Sequence, residues 1–164
     1  MAAGMTGPDT SPRVNVQPVA ERDRGAFFAM LREYMAEMDR YDPATAESPY
    51  DVDRYIAAML EDMEGREFLW LLLDGERAGM AIVRTLPDFP DDRRMVATIG
   101  EFYVAPAYRR RGVGGSAVQA ILDDHRRRGT YEVEAGILRD NFLARAFWAR
   151  MGFELRFYQT ARRP

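Results

Sequence analysis

Cysteine is absent from the 164-residue chain, and so is lysine: all 23 basic side chains are arginine. Without thiols there is neither a disulfide framework nor a thiol nucleophile, and a reducing cytoplasm is the expected setting. Without lysine there is no Walker-type phosphate loop, which requires one. A single histidine, His125, excludes histidine-rich metal sites and any Ser–His catalysis not centred on it, so no metal is expected. No apolar run approaches the roughly 18 residues of a membrane span, and a net charge of −3 gives no general affinity for nucleic acid. Residues 1–12 lack a basic segment and a long apolar core, and contain Gly, Pro, Thr and Ser. They are expected to be a disordered tail rather than a secretory leader.

What is present is globular in composition, at 47% hydrophobic and 30% charged. The length suits one domain, expected over 13–164. Alternation at 14–19 predicts a first strand. A helix should follow from about Ala20 to Asp39, with Phe27, Phe28, Leu31, Tyr34, Met35 and Met38 on its apolar face. Asp42-Pro43 breaks the chain. A second helix, capped by Asp51 or Asp53 and closed by Gly65, should bury Tyr55, Ile56, Met59, Leu60 and Met63. Residues 68–73 and 77–84, around Asp74-Gly75, form a hairpin pattern. Strands at 95–104, 131–137 and 153–158 and helices at 113–128 and 141–151 complete the pattern.

The stretch at 99–122 carries the chemistry. A strand ending near Pro106 leads through three arginines and Gly112-Val113-Gly114-Gly115 into a helix. Glycines allow a sharp turn on which successive N–H groups converge, and the helix start adds unpaired donors and a partial positive charge. This construction binds phosphate. The run at 112–117 matches the dinucleotide-binding pattern G-x-G-x-x-A, and Glu132 lies about 20 residues on. Against that match, residues 105–111 separate strand from glycines, and too little chain remains for further βα units.

The better match is Arg109-Arg110-Arg111-Gly112-Val113-Gly114, which resembles the [QR]-x-x-G-x-[GA] motif of the GNAT acetyltransferase superfamily. Val104-Ala105-Pro106-Ala107-Tyr108-Arg109 before it is similar to that family's strand exit, V-x-P-x-[YW]-[RQ]. Downstream, residues 141–153 resemble its N-x-x-A-x-x-[FL]-[YW]-x-x-x-G-F segment. The resemblance implies an α/β fold: a central mixed sheet with helices on both faces, in the order β-α-α-β-β-β-α-β-α-β. It also implies acetyl-CoA as acyl donor.

By that resemblance, Arg109 opens a loop whose backbone N–H groups at Arg110, Arg111, Gly112, Val113, Gly114, Gly115 and Ser116 hold the CoA pyrophosphate. Arginine side chains can add charge-assisted bonds of about 1.5–3 kcal/mol each. The strand edge from Phe102 to Val104 would pair with the pantetheine arm, Asn141 would contact the cofactor, and Ala144 and Phe147 would line the arm. Other roles stand beside these: a solvated basic turn for the arginines, and a helix N-cap for Asn141.

Acetyl transfer needs a neutral amine, and an amine of pKa about 10.4 is neutral at pH 7 only about once in a few thousand, a cost of roughly 4–5 kcal/mol. A general base removes that proton. The resemblance points to Glu101, which alternation puts on one face with Tyr103, opposite Gly100 and Phe102. A core glutamate paired with an arginine is the other reading. Where many family members carry a proton-donating tyrosine this chain has Trp148, whose indole cannot sensibly protonate a thiolate. The acid is then Tyr103, Tyr158 or a water, or it is dispensed with. Trp148 also fits plain aromatic packing.

Between residues 33 and 64 lie ten acids against Arg40 and Arg54, which predicts a cationic acceptor such as a small amine, polyamine, aminoglycoside or protein amino group. A solvated acidic face explains them too. Tyr41, Asp42 and Tyr50 are the candidate acceptor-binding residues. Three classes remain: an acetyl-CoA-dependent N-acetyltransferase, a non-catalytic acyl-CoA-binding or interaction protein on the same fold, and a nucleotide-dependent oxidoreductase. The resemblance allows a homodimer.

Overall fold

The computed structural model describes residues 13–42, 51–162 and 164. The tail expected over 1–12 lies outside them. β1 (Val14–Pro18) leads through a 3-10 turn into α1 (Arg24–Met38); α2 (Val52–Glu61) follows. Asp51 caps α2, its carboxylate accepting from the Arg54 N–H at 3.0 Å. β2 (Arg66–Leu73), β3 (Glu76–Pro87) and β4 (Met95–Val104) come next, then α3 (Val113–Arg127), β5 (Glu132–Ala135) and α4 (Phe142–Arg150). The described strands form one sheet in the order β1-β2-β3-β4-β5, antiparallel except for the β4–β5 pair. That parallel pair follows from the helical crossover through α3.

The sheet has a core on each face. Leu69, Leu71, Ala81, Val83, Ala97 and Ile99 pack with Val113, Ala117, Val118 and Ile121 of α3 and Trp148 of α4. Phe68, Trp70, Leu72, Met80 and Ile82 pack on the other face with Phe27, Phe28 and Leu31 of α1 and Ile56 and Met59 of α2. Continuous apolar runs such as 68–73 reflect strands covered on both sides. At Gly79 the strands come so close that a Cβ would lie 2.2 Å from the Tyr103 carbonyl oxygen.

Two sequence expectations need correction. Residues 153–158 form no strand: the chain after α4 carries no regular structure among the described residues, and Leu155, Phe157 and Tyr158 are exposed. Leu60, expected on the buried face of α2, is exposed. Among the described residues no helix is long and apolar enough to cross a membrane.

Candidate active site

The site is organised by an irregularity in β4. Val83 pairs with Ile99 and Ile82 with Glu101, which leaves Gly100 as an extra, unpaired residue. Such a bulge reverses the side-chain alternation beyond it. Before it, Ala97 and Ile99 face α3 and α4; after it, Phe102 and Val104 face that side, while Tyr103 joins the α1–α2 core. Glu101 is thereby turned toward α2.

On the α1–α2 side a cavity of about 430 Å³ opens beside Glu101. Its lining includes Tyr55 of α2, Arg66 of β2, Arg84 of β3, Asp88 and Gly100. Glu101 is 9% exposed, and the Tyr55 hydroxyl donates to its carboxylate. Burial holds the Glu101 carboxyl above the usual carboxylate range, against the opposing pull of the Tyr55 hydrogen bond and the Arg66 charge. Tyr55 is pushed up by its own burial and by Glu101, so it remains a hydrogen-bond donor.

On the α3–α4 side a smaller cavity of about 80 Å³ is lined by Tyr34, Met38, Ile99, Gly100, Phe102, Asn141, Ala144 and Trp148, with residues 136–138. It lies where β4 and β5 part, since their pairing ends at Ile99 and Ala135. The Ala105 N–H donates to Ala78 of β3, so by antiparallel alternation Phe102 and Val104 turn their main-chain groups to the opposite, open side. There the Val104 carbonyl accepts from Arg109 Nε at 2.8 Å, leaving the Val104 N–H and both Phe102 groups facing the gap. An open edge of this kind accepts an extended chain as an added strand. Gly100 lines both cavities, so the bulge is the stretch of wall they share.

The arginine–glycine loop follows. Arg110 (φ +60°) and Gly112 (φ +79°) both adopt the left-handed conformation, and Gly112 is the N-cap of α3. Among the described residues, none of the backbone N–H groups from Arg110 to Gly115 donates to a main-chain carbonyl; the first that does is Ser116, to Gly112 at 3.1 Å. Orphan donors at a helix start, with roughly half a positive charge behind them, suit a phosphate. Gly114 is required for packing as well: a Cβ there would stand 3.2 Å from the Phe147 ring. The open edge, the orphan donors and this close approach together fit a CoA pyrophosphate and pantetheine arm.

Several residues expected in the site have other partners. Arg109 is bound to Glu37 of α1 at 2.6 Å and lies over the Tyr103 ring, so its guanidinium ties the strand exit to α1. The Arg111 guanidinium lies 5.7 Å from the Tyr108 ring. Asn141 caps α4, its Oδ1 accepting from the Ala144 N–H at 3.0 Å, and lines the smaller cavity too. Trp148 packs edge-on against Phe102, Phe147 and Phe153. Tyr103 is buried beside Tyr34 and lines neither cavity, and Tyr158 is 81% exposed. Tyr41 and Asp42 follow α1 and are not among the described residues lining either cavity; Tyr50 lies outside the described residues. Three of the ten acids at 33–64 have arginine partners: Glu37 with Arg109, Asp53 with Arg32 and Asp62 with Arg84.

Sequence reasoning missed Tyr34, Tyr55 and Arg66. Both tyrosines stand at apolar positions of helices, where a hydroxyl aimed at a strand looks like core. Tyr34 is pushed up to about 12 by burial and by Glu101 and Glu37.

The chain matches the model of the acetyltransferase (GNAT) family over residues 28–153. No curated protein matches it. Among solved structures it is similar to a transcriptional regulator from Bacillus halodurans C-125, with TM-score 0.70 and 19% identity over 92% of this chain and 99% of that one. It is similar to the ribosomal-protein-alanine N-acetyltransferase of Brucella melitensis biovar Abortus 2308, with TM-score 0.69 and 19% identity over 92% and 99%. It is likewise similar to the aminoglycoside N-acetyltransferase AAC(6')-Iy solved with CoA, with TM-score 0.71 and 15% identity over 95% and 97%. At these identities the likeness is one of fold. The family match, however, runs from α1 to the turn after α4, across the bulge, the loop and both cavities, and this chain belongs to the GNAT acetyltransferase family.

Proposed function

We propose that the protein transfers an acetyl group from acetyl-CoA to a primary amine, with Glu101 as general base. The observation that carries this reading is that two cavities share the wall at Gly100, with a buried carboxylate beside it in the larger one. In this reading the N–H run from Arg110 to Gly115 holds the pyrophosphate, the open edge at Phe102 and Val104 holds the pantetheine arm, and Asn141, Ala144 and Phe147 flank it. Acetyl-CoA, when bound, supplies the acetyl group as a thioester open to attack by the amine nitrogen.

The amine arrives as its ammonium form, drawn to Glu101 and Asp88, the two carboxylates of a lining that also holds Arg66 and Arg84. Glu101 takes one proton before attack; the nitrogen sheds a second as the C–N bond forms and the C–S bond breaks, and the departing thiolate or water takes it. A carboxyl raised by burial is a better base than an ordinary one. Tyr34, at about 12, keeps its proton and serves as a hydrogen-bond donor to the smaller cavity. A thiol of pKa about 8.5 leaves acceptably as thiolate, so a tyrosine at the Trp148 position is dispensable.

Thiol release from acetyl-CoA across an amine panel tests the reading, with Glu101→Gln as the variant. Release that depends on an amine and falls in the variant supports it; release untouched by the substitution sinks the base assignment. The aromatic packing of Trp148 favours a second reading, a non-catalytic acyl-CoA binder. Thermal stabilisation by CoA with no release from any amine would select it.

A further inference from the structure

We propose that the acceptor carries a carboxylate as well as its amine, and that Arg66, beside Arg84, binds that carboxylate. This deepens the acetyltransferase reading and rests on it. β2 and β3 set Arg66 directly opposite Arg84, and two residues further Phe68 opposite Ile82, on the face that carries Glu101. Like charges directly opposed across a pair of strands destabilise the sheet unless something answers them. Arg84 is answered: it donates to the Asp62 carboxylate at 2.6 Å and to the Glu64 carbonyl at 3.1 Å. Arg66 donates from Nε to the Asp62 carbonyl at 3.2 Å, and no carboxylate among the described residues lies within ion-pair distance of it. Its charge remains in the wall of the cavity that Glu101 also lines.

The charged lining is thus two arginines, Asp88 and Glu101. A polycation would bring positive charge against Arg66 and Arg84, and a simple alkylamine would leave Arg66 without a carboxylate at ion-pair distance. An acceptor with an amine at one end and a carboxylate at the other answers both signs. The spacing suits a short one. Arg84 stands opposite Arg66, and Ile82, two residues along β3, stands opposite Glu101. Arg66 on β2 and Glu101 on β4 are therefore one two-residue step, roughly 7 Å, apart along the strands and two strand spacings, roughly 9.5 Å, apart across them, with both residues lining the cavity between. A planar guanidinium is the side chain best shaped to hold a carboxylate by two parallel bonds.

The test compares δ-aminovalerate with pentylamine, which has the same chain and no carboxylate, and with spermidine, in the thiol-release assay. The expected kcat/KM ratio of aminovalerate over pentylamine is roughly 10–100-fold, the span of a charge-assisted contact. In Arg66→Gln the ratio falls toward one, chiefly through the KM of aminovalerate, and Arg66→Lys restores part of it. Thermal stabilisation by CoA verifies that each variant is folded. Pentylamine or spermidine turned over as well as aminovalerate, or a ratio unchanged in Arg66→Gln, overturns this inference and leaves the acetyltransferase reading standing. No release from any acceptor overturns both.

Discussion

On the α3 side of β4 the groups offered to a ligand are main-chain: the N–H run from Arg110 to Gly115 and the open edge at Phe102 and Val104. On the α1–α2 side they are side chains: Glu101, Tyr55, Arg66 and Arg84. The first set needs only a backbone path, two left-handed residues and room for Phe147, and most side-chain substitutions leave it intact. The second set changes its chemistry with every substitution. In the proposed reading, a donor held by backbone and an acceptor held by side chains would let the fold keep its cofactor while its acceptor varies.

Four substitutions break or sharpen that contrast. The largest effect belongs to Glu101→Gln, which should lower turnover by about 10²–10⁴-fold and leave the KM for acetyl-CoA unchanged. The same variant should be more stable. Burial raises the Glu101 pKa in the folded state, so the native protein favours the protonated form and loses stability as pH rises through the interval from the ordinary carboxyl value to the raised one. Glutamine escapes that loss. Its Tm advantage should be present at neutral pH and vanish toward acid, as calorimetry across pH would record.

Gly100→Ala comes next. A Cβ there meets nothing nearer than the Ile82 carbonyl oxygen at 4.0 Å, so the fold should be unaffected. The methyl group would stand in the wall the two cavities share, and a misplacement of about 1 Å at a reacting centre costs on the order of 10²-fold. Unchanged Tm with a matching loss in kcat/KM is the expected result; unimpaired activity would mean that the reacting groups do not meet at the bulge.

Gly112→Ala probes the main-chain side. At φ +79° a side chain costs about 1–2 kcal/mol, which should appear as lower Tm and about a tenfold higher KM for acetyl-CoA. The KM for the amine should not move. If the amine KM rises equally, the two sides are not separable.

The smallest effect is a displaced pH profile. The Tyr55 hydrogen bond lowers the Glu101 pKa, so Tyr55→Phe should raise it and shift the acid limb of kcat/KM to higher pH, with the plateau little changed. A limb that stays in place would detach Glu101 from the pH dependence.

The main-chain half of this site was the legible half, because glycine and arginine spacing at 109–114 encodes backbone geometry directly. The strand at 95–104 and the helix at 113–128 were legible for a similar reason: periodic burial leaves a periodic sequence. The side-chain half was not, because it depends on which face of β4 meets which helix. At 99–101 the one hint of the bulge is a glycine in mid-strand, and Tyr55 and Arg66 become site residues only once α2 and the start of β2 are brought to that face. The segment at 153–158 fails for the complementary reason. Its alternation is strand-like, yet a strand needs a partner's hydrogen-bond ladder. Arg156 binds the Glu132 carboxylate through two contacts of 2.6 Å, which brings the chain beside β5 without pairing to it.

The extra residue at Gly100 also bears on how this gene can vary in length. Losing the Gly100 codon would close the bulge and leave Glu101 opposite Ile82 on its present face, whereas losing one between Glu101 and Val104 would turn the residues beyond it to the opposite faces, Val104 toward the α1–α2 side. The turn at 88–94, closed by the Asp88 N–H on the Arg94 carbonyl, has no such parity to protect. Insertions should accumulate there, and β4 should keep its count.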